Sequence, residues 1–382
     1  MKKIPLLIGI LFLLTSSLSC AKTQPVSQSE IPPEAPAQVM PPDVVGESTW
    51  KIAIISDMNG SYGSTTYSNA VPSAIQHITA SGVSAVLSTG DMVAGQKSGL
   101  DYQKMWNAFH ALVTKPLSTS EIPFLPSPGN HDASAGSNFK NERDIYINNW
   151  NTYPIERFNA ARPDNAKLEF ISGVVQNYPL NYAVKMGPAI FISLDATAVG
   201  PLINNQLTWL EDVLSKTASA KIKVVFGHVP LYPFTFERTT EYLAYGTAKT
   251  TYAERFETIL ETHKVTYYLS GHDHAFYPGH RNGQVRYISV PLLGTGARKI
   301  LTTTGEGAVS KTSFLYLTFD AAGNHSLEAL ESPSYKAIPF QSLPAAVSVP
   351  KTDAADCREC STFPQEFFLT PQSRDLFYRL TE

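Results

Sequence analysis

Six residues of metal-ligating type, Asp57, Asp91, Asn130, His228, His272 and His274, stand at or just past the ends of short apolar runs. The runs read KIAIISD, AVLSTGD, PFLPSPGNHD, KVVFGH and TYYLSGHDH, so one arrangement recurs five times along the chain. Each is rich in Val, Ile, Leu, Phe or Tyr and reads as a strand. In open α/β sheets, ligands gather beyond the carboxyl ends of the strands, where the loops converge on one crevice. Strands that end in this way can place two carboxylates, one amide and three imidazoles around a point, the donor mixture for a pair of transition-metal ions. The expected chemistry is metal-assisted hydrolysis.

Taken singly, each motif has an ordinary reading. In Gly271-His272-Asp273-His274 an extended backbone turns His272 and His274 to one face and Asp273 away, yet a histidine pair near a turn is often only exposed. Pro128-Gly129 can supply the rigid turn that Asn130 needs to aim its carbonyl oxygen, but Asn130-His131-Asp132 also passes for a plain turn. Asp91 has two oxygens with which to bridge two cations and Asp57 can hold one, although either could be a helix N-cap. His228 could be a satisfied core histidine. The weight lies in the conjunction of chemical type, order and position at strand ends.

The elements that must position these side chains alternate. Ser68–Ser81, Tyr102–Val113, Asn205–Lys216 and Tyr252–His263 carry apolar residues at helical spacing, Met105, Phe109 and Leu112 among them. Strand–helix–strand alternation predicts a layered α/β fold. Asn181–Asp195 reads as two strands around Met186-Gly187-Pro188, and Arg286–Leu293 and Ser313–Phe319 as strands without intervening long helices. These predict a second, partly antiparallel sheet packed on the first, within a folded domain spanning residues 49–332.

The ends of the chain differ from this domain. Lys2 and Lys3 precede an apolar run, Ile4–Leu14, then small residues and Cys20. This is a secretory signal, too short for a typical membrane span. Cys20 at the cleavage point resembles a bacterial lipobox, with Leu18 one place closer to the Cys than usual; a plain signal with an incidental Cys is the other reading. Residues 1–20 are therefore expected to export the chain and Cys20 to take a lipid that anchors it to a membrane of the cell envelope. Residues 21–48, rich in Pro, Gln and Ser, read as a flexible tether. Residues 333–382 read as an extension without chemistry, in which Cys357 and Cys360 form a small structural disulfide loop. A net charge of −3 and no Lys/Arg run argue against a nucleic-acid partner.

Asp57, Gly90-Asp91, Gly129-Asn130-His131-Asp132, Gly227-His228 and Gly271-His272-Asp273-His274, in this order, resemble the calcineurin-like metallophosphoesterase superfamily. LDAT followed by QLTWLEDVL, within residues 177–214, is similar to its purple-acid-phosphatase-like branch. The likeness covers residues 50–293. It implies a four-layer α/β/β/α sandwich of two mixed sheets with a dinuclear metal site at the strand ends. By motif, Asp57, Asp91 and His274 would hold the first metal, and Asp91, Asn130, His228 and His272 the second. Two departures stand out. Asn59 occupies the place of a ligand His, leaving its amide oxygen or water to fill the gap, and Ala94 stands where purple acid phosphatases have a ligand Tyr. Tyr62 and Tyr67 lie nearby, with nothing in their spacing to make them ligands. No purple iron chromophore is expected, and Mn, Fe and Zn all suit the mixed N/O donor set.

Two divalent ions outweigh the charges of Asp57 and Asp91, so the centre would attract a phosphate ester and acidify a water. His131, beside a ligand but assigned to no metal, is placed to protonate the leaving oxygen, with Asp132 expected to orient its ring. The chain thus reads as an exported metal-dependent hydrolase of phosphomonoesters or diesters. The alternative is a non-catalytic binding or surface protein of the same fold with a weakened first site. An amide or lactone hydrolase would need an oxyanion site that the sequence does not reveal.

Overall fold

The run KIAII is apolar at nearly every position because the strand it forms is covered on both faces. In a computed structural model, which describes residues 48–245, 249–279, 285–302, 305–344, 346–348 and 366–368, Ile52 and Ile54 pack into one apolar cluster and Ala53 and Ile55 into another. A strand buried on both sides reads as a continuous hydrophobic run instead of an alternating one. The expected signal and tether, with Cys20, and the Cys357–Cys360 loop lie outside the described residues.

In chain order the strands of the two main sheets and the hairpin between them are β1 (Thr49–Ile55), β2 (Ala85–Ser88), β3 (Phe124–Pro126), β4 (Glu169–Phe170), β5 (Tyr182–Met186), β6 (Ala189–Ser193), β7 (Ile222–Gly227), β8 (Tyr267–Ser270), β9 (Tyr277–Pro278), β10 (Arg286–Ser289), β11 (Lys299–Thr302), β12 (Gly305–Val309), β13 (Ser313–Asp320) and β14 (His325–Glu331). The first sheet has the order β14-β13-β1-β2-β3 and the second β4-β5-β6-β7-β8-β10-β9. Both are mixed: β1, β2 and β3 run parallel, as do β6, β7, β8 and β10, with antiparallel strands flanking them. Ile54, Leu87 and Leu315 of the first sheet meet Val224, Phe226 and Leu269 of the second in a core between the sheets.

The outer faces are covered by helices α1 (Ala70–Ala80), α2 (Tyr102–Phe109), α3 (Lys115–Thr119), α4 (Asn130–Ala133), α5 (Lys140–Asn151), α6 (Gln206–Lys216) and α7 (Lys249–Thr262). Ile75, Ile78, Trp106, Phe109 and Trp150 cover the first sheet, and Leu207, Leu210, Phe256 and Leu260 the second. This is the expected four-layer α/β/β/α sandwich.

Three expectations are corrected. The ligand-bearing strands do not share one sheet: β1, β2 and β3 lie in the first, β7 and β8 in the second. The later strands divide as well, Arg286–Ser289 joining β8 and Ser313–Asp320 inserting beside β1. A strand's own residues specify burial, but its hydrogen-bonding neighbour depends on segments far along the chain. The helix expected to stop at Val113 instead widens into a π turn, His110–Thr114, and continues as α3. Pro116 explains the widening, since it cannot donate and its ring would clash with the carbonyl four residues earlier; the Lys115 amide accordingly bonds to His110.

Asp195 of the LDAT segment is salt-bridged to Arg143 and accepts from Thr197, tying α5 to the end of β6. Beyond β14 the chain keeps packing, with Ile338 and Phe340 buried in the inter-sheet core. Among the described residues no helix is long and apolar enough to cross a membrane.

Candidate metal centre

The ligand-type residues meet where the parallel strands of both sheets end. Asp57, Asp91, His272 and His274 all have positive φ, between 47° and 68°. Left-handed backbone is uncommon outside glycine, and Asn, Asp and His tolerate it better than most residues. The GHDH segment is therefore not extended, as its expected geometry required. Its two histidines reach the centre through two left-handed turns, and such strain persists only where the surroundings hold it. They do so here: the Asp57 amide donates to Gly90 at 3.0 Å and the Met58 amide to Asp91 at 2.9 Å. The His272 amide donates to the Asp57 carboxylate at 3.1 Å. Thr89 donates to Ser56 and Ser56 to Asp57 Oδ2, each at 2.6 Å.

Two glycines let these loops touch. Gly90 has φ 104°, and a Cβ there would lie 2.6 Å from the Gly129 nitrogen. A Cβ on Gly129 would overlap the amide nitrogen and Oδ1 of Asp91.

Around the second position, His228 Nε2 lies 3.3 Å from Asp91 Oδ1, and His272 Nδ1 lies 3.1 Å from Asn130 Oδ1 and 3.3 Å from His228 Nε2. Tetrahedral donors about 2.0–2.1 Å from a common ion are about 3.3 Å apart, so this spacing fits one metal. Around the first, His274 Nε2 is 3.2 Å from Asp57 Oδ1. Donor atoms of Asp57, Asp91 and His228 lie within 4.8 Å of one another, which joins the two groups.

Each donor atom is also aimed. His228 Nδ1 faces the Thr89 carbonyl at 2.9 Å and His274 Nδ1 the Gly296 carbonyl at 3.0 Å. A carbonyl only accepts, so both Nδ1 atoms carry a proton, and it is the Nε2 atoms whose lone pairs would face a bound metal. Asn130 donates its amide N–H to Gln96 Oε1 at 2.7 Å, which turns Oδ1 inward.

The electrostatics suit a cation. Burial alone would raise the carboxyl of Asp57, but His274 and His228 outweigh it and hold the group below its usual range. Asp91 is likewise held far down against burial, by His228 and His131. Burial opposes a proton on His228, yet Asp91 and Asp57 push it up to about 9. His272 goes the other way, lowered to about 4 chiefly by burial. A metal would thus find His272 neutral and displace a proton from His228.

Asn59 and Asp132 are placed differently from expectation. Asn59 is brought to the centre, but as a donor, its Nδ2 lying 3.4 Å from Asp91 Oδ2. Asp132 does not orient His131. Its Oδ1 accepts from the amides of Met92 and Val93 at 2.8 and 2.9 Å, and its Oδ2 from Gly129 at 2.9 Å. A fully buried carboxylate has to satisfy several lone pairs, and three amides, one at the start of α4 and two in the loop after β2, do so better than one imidazole. The His131 ring is oriented by the Gly95 carbonyl, 2.9 Å from Nδ1, leaving Nε2 on the side of Asp91, 3.9 Å away. Tyr67 is spent on the Met92 carbonyl, and exposed Tyr62 lies tilted over the His131 ring.

Sequence reasoning missed the supporting groups. Ser56 and Thr89 carry no motif signal beyond lying within two residues of a ligand, and Gln96, five residues past Asp91, carries none. Glu241 and Arg238 lie in a loop after β7, with Glu241 Oε2 3.2 Å from His272 Nε2 and salt-bridged to Arg238. The hydrogen bond from His272, with Arg238 beside it, lowers the Glu241 carboxyl to about 2. Arg298 donates to the His272 carbonyl at 2.6 Å. A charged loop following a ligand-bearing strand was the only available hint.

A two-sheet α/β sandwich with buried Asp and His donors at its strand ends is the scaffold of a metal-ligating protein. The family model of the calcineurin-like phosphoesterases matches residues 51–276, more than half of the chain, and this protein belongs to that family. Among solved structures, a purple acid phosphatase from yellow lupin (Lupinus luteus) seeds aligns with TM-score 0.55 at 16% identity, over 77% of this chain and 53% of that one. The chain thus spans about half the length of the lupin protein. A dimetal phosphatase from Danio rerio aligns with TM-score 0.43 at 13% identity, over 71% of this chain and 95% of that one. GAP50, the anchor in the inner membrane complex of Plasmodium, aligns with TM-score 0.46 at 17% identity, over 76% and 87%.

Proposed function

We propose that this protein hydrolyses phosphate monoesters or diesters at a dinuclear metal centre. The observation that carries the reading is the convergence of Asp57, Asp91, Asn130, His228, His272 and His274 from five strand ends, with the buried Asp91 between the two donor groups. Asp57, Asp91 and His274 would hold one ion and Asp91, Asn130, His228 and His272 the other. When bound, such a pair supplies Lewis acidity and a nucleophile at neutral pH. His131 would deliver a proton from Nε2 to the leaving oxygen while the Gly95 carbonyl holds its other nitrogen. Metal analysis of purified protein, with activated aryl phosphate monoesters and diesters as substrates, tests the reading. Metal-free protein that stays inactive after Mn, Fe or Zn is added would end it.

Asn59 favours unequal sites. By donating to Asp91 it offers the first metal no lone pair, where a histidine would supply a nitrogen. Titration of apo-protein should show two unequal affinities, and Asn59→His should tighten the looser step. About 1.4 kcal/mol from the added donor would be a tenfold gain. Equal affinities that the substitution leaves unchanged would mean that another residue completes the site. A first site that never fills, with no turnover, would instead support the non-catalytic binding reading.

The signal-like N-terminus supports export with lipid anchoring through Cys20. A single acyl chain binds marginally, whereas several give stable attachment. Cys20→Ser should move the protein out of the membrane fraction, and wild-type protein that is processed yet wholly soluble would refute the anchor.

A further inference from the structure

We infer that Glu241 is the positioning residue of the second metal site, holding the His272 ring so that its Nδ1 points at the ion while Arg238 pins the carboxylate. The inference rests on the dinuclear reading above and concerns a residue in none of its motifs.

The three ligand-type histidines are not supported alike. His228 and His274 each place Nδ1 on a backbone carbonyl and present Nε2 to the centre. His272 is reversed: Nδ1 faces Asn130 and His228, and the far nitrogen, Nε2, lies 3.2 Å from Glu241 Oε2. A carboxylate accepts and cannot donate, so the proton sits on Nε2 and the lone pair on Nδ1. A charged acceptor also makes the imidazole a better donor to a cation than a neutral carbonyl does. Glu241 stands behind the ring, on the side away from the other donors, and so supports a ligand without being one.

The carboxylate is itself held. Arg238 is salt-bridged to it, and the Glu241 amide bonds back to the Arg238 carbonyl at 3.0 Å, closing a local turn. Leu243 and Ala244 fasten the same loop to Pro230 and Leu231, just beyond His228. Asp273, between the two GHDH histidines, accepts the Phe234 amide at 2.5 Å. Arg298 holds the His272 carbonyl. The loop after β7 is thus latched to the GHDH turn at the His272 ring and at the Asp273 carboxylate, while Arg298, just ahead of β11, holds the His272 backbone.

The test titrates full-length apo-protein with Mn²⁺ and Zn²⁺ by calorimetry, and follows the His272 ring nitrogens by NMR before metal is added. Glu241→Ala should weaken one of the two binding steps by about 10–100-fold, the usual scale for removing a ligand's supporting carboxylate, and leave the other step as in wild type. Glu241→Gln, whose amide oxygen still accepts the Nε2 proton without charge, should fall between, with the wild-type tautomer retained. Glu241→Ala should lose that tautomer preference with melting temperature little changed. Two wild-type steps in Glu241→Ala, or an equal loss in both with a lowered melting temperature, would overturn the inference. Wild-type protein that takes up no metal at all would overturn the dinuclear reading first, and this inference with it.

Discussion

Asp91→Ala should abolish the second metal's uptake, loosen the first, and lower turnover of an activated aryl phosphate by at least about 10³-fold. Losing one preorganised electrostatic group in an active site costs about 10²–10³-fold, and Asp91 is expected to serve two ions at once. Its Oδ1 lies 3.3 Å from His228 Nε2 and accepts the His131 amide at 2.9 Å. It is buried, and it holds a proton on His228 up to about 9. Removing it leaves that imidazolium with one carboxylate fewer. Breaking a buried charge pair from one side costs about 3–5 kcal/mol, so the metal-free variant should also melt earlier. Asp91→Asn separates the effects, since it keeps the shape while removing the charge; it should fold better than the alanine variant and still fail to bind two metals. Two metals and full activity in either variant would refute the dinuclear assignment.

His131→Ala should keep its metal content, lose about 10²–10⁴-fold on an alkyl phosphate ester, and lose far less on an activated aryl ester. That range is the usual contribution of general acid–base catalysis, and an alkoxide needs the proton where a stabilised phenolate can leave unaided. The Gly95 carbonyl fixes Nδ1 as a donor and leaves Nε2 partly open. A loss of equal size on both substrates, with metal retained, would assign the ring to stabilising phosphoryl charge instead. Loss of metal would make His131 a ligand. Asp132→Asn provides a further contrast. Because Asp132 binds the Met92, Val93 and Gly129 amides and not the His131 ring, its substitution should act through stability and loop placement, lowering both substrates alike.

What the sequence determined by itself is local. KIAIISD and KVVFGH specify strands covered on both faces, because each apolar residue has to be buried wherever the strand is placed. The chemical types at their ends, Asp and His after a tight turn, specify what could be bound there. The glycines before Asp91, Asn130, His228 and His272 were legible as turn residues, though not as points where two loops touch so closely that a Cβ on Gly129 would overlap Asp91. The tertiary structure decided everything that depends on a partner distant in the chain. It divided the ligand-bearing strands between two sheets, since strand pairing is a long-range choice that local burial leaves open. It put His272 and His274 in left-handed backbone, which only a network of hydrogen bonds from other loops can hold. It gave Asp132 to three amides instead of a ring, and brought Glu241 behind His272 across 31 residues. Hydrogen bonds and charges act over a few ångströms of space, and sequence separation carries no record of which groups the fold will bring within that reach.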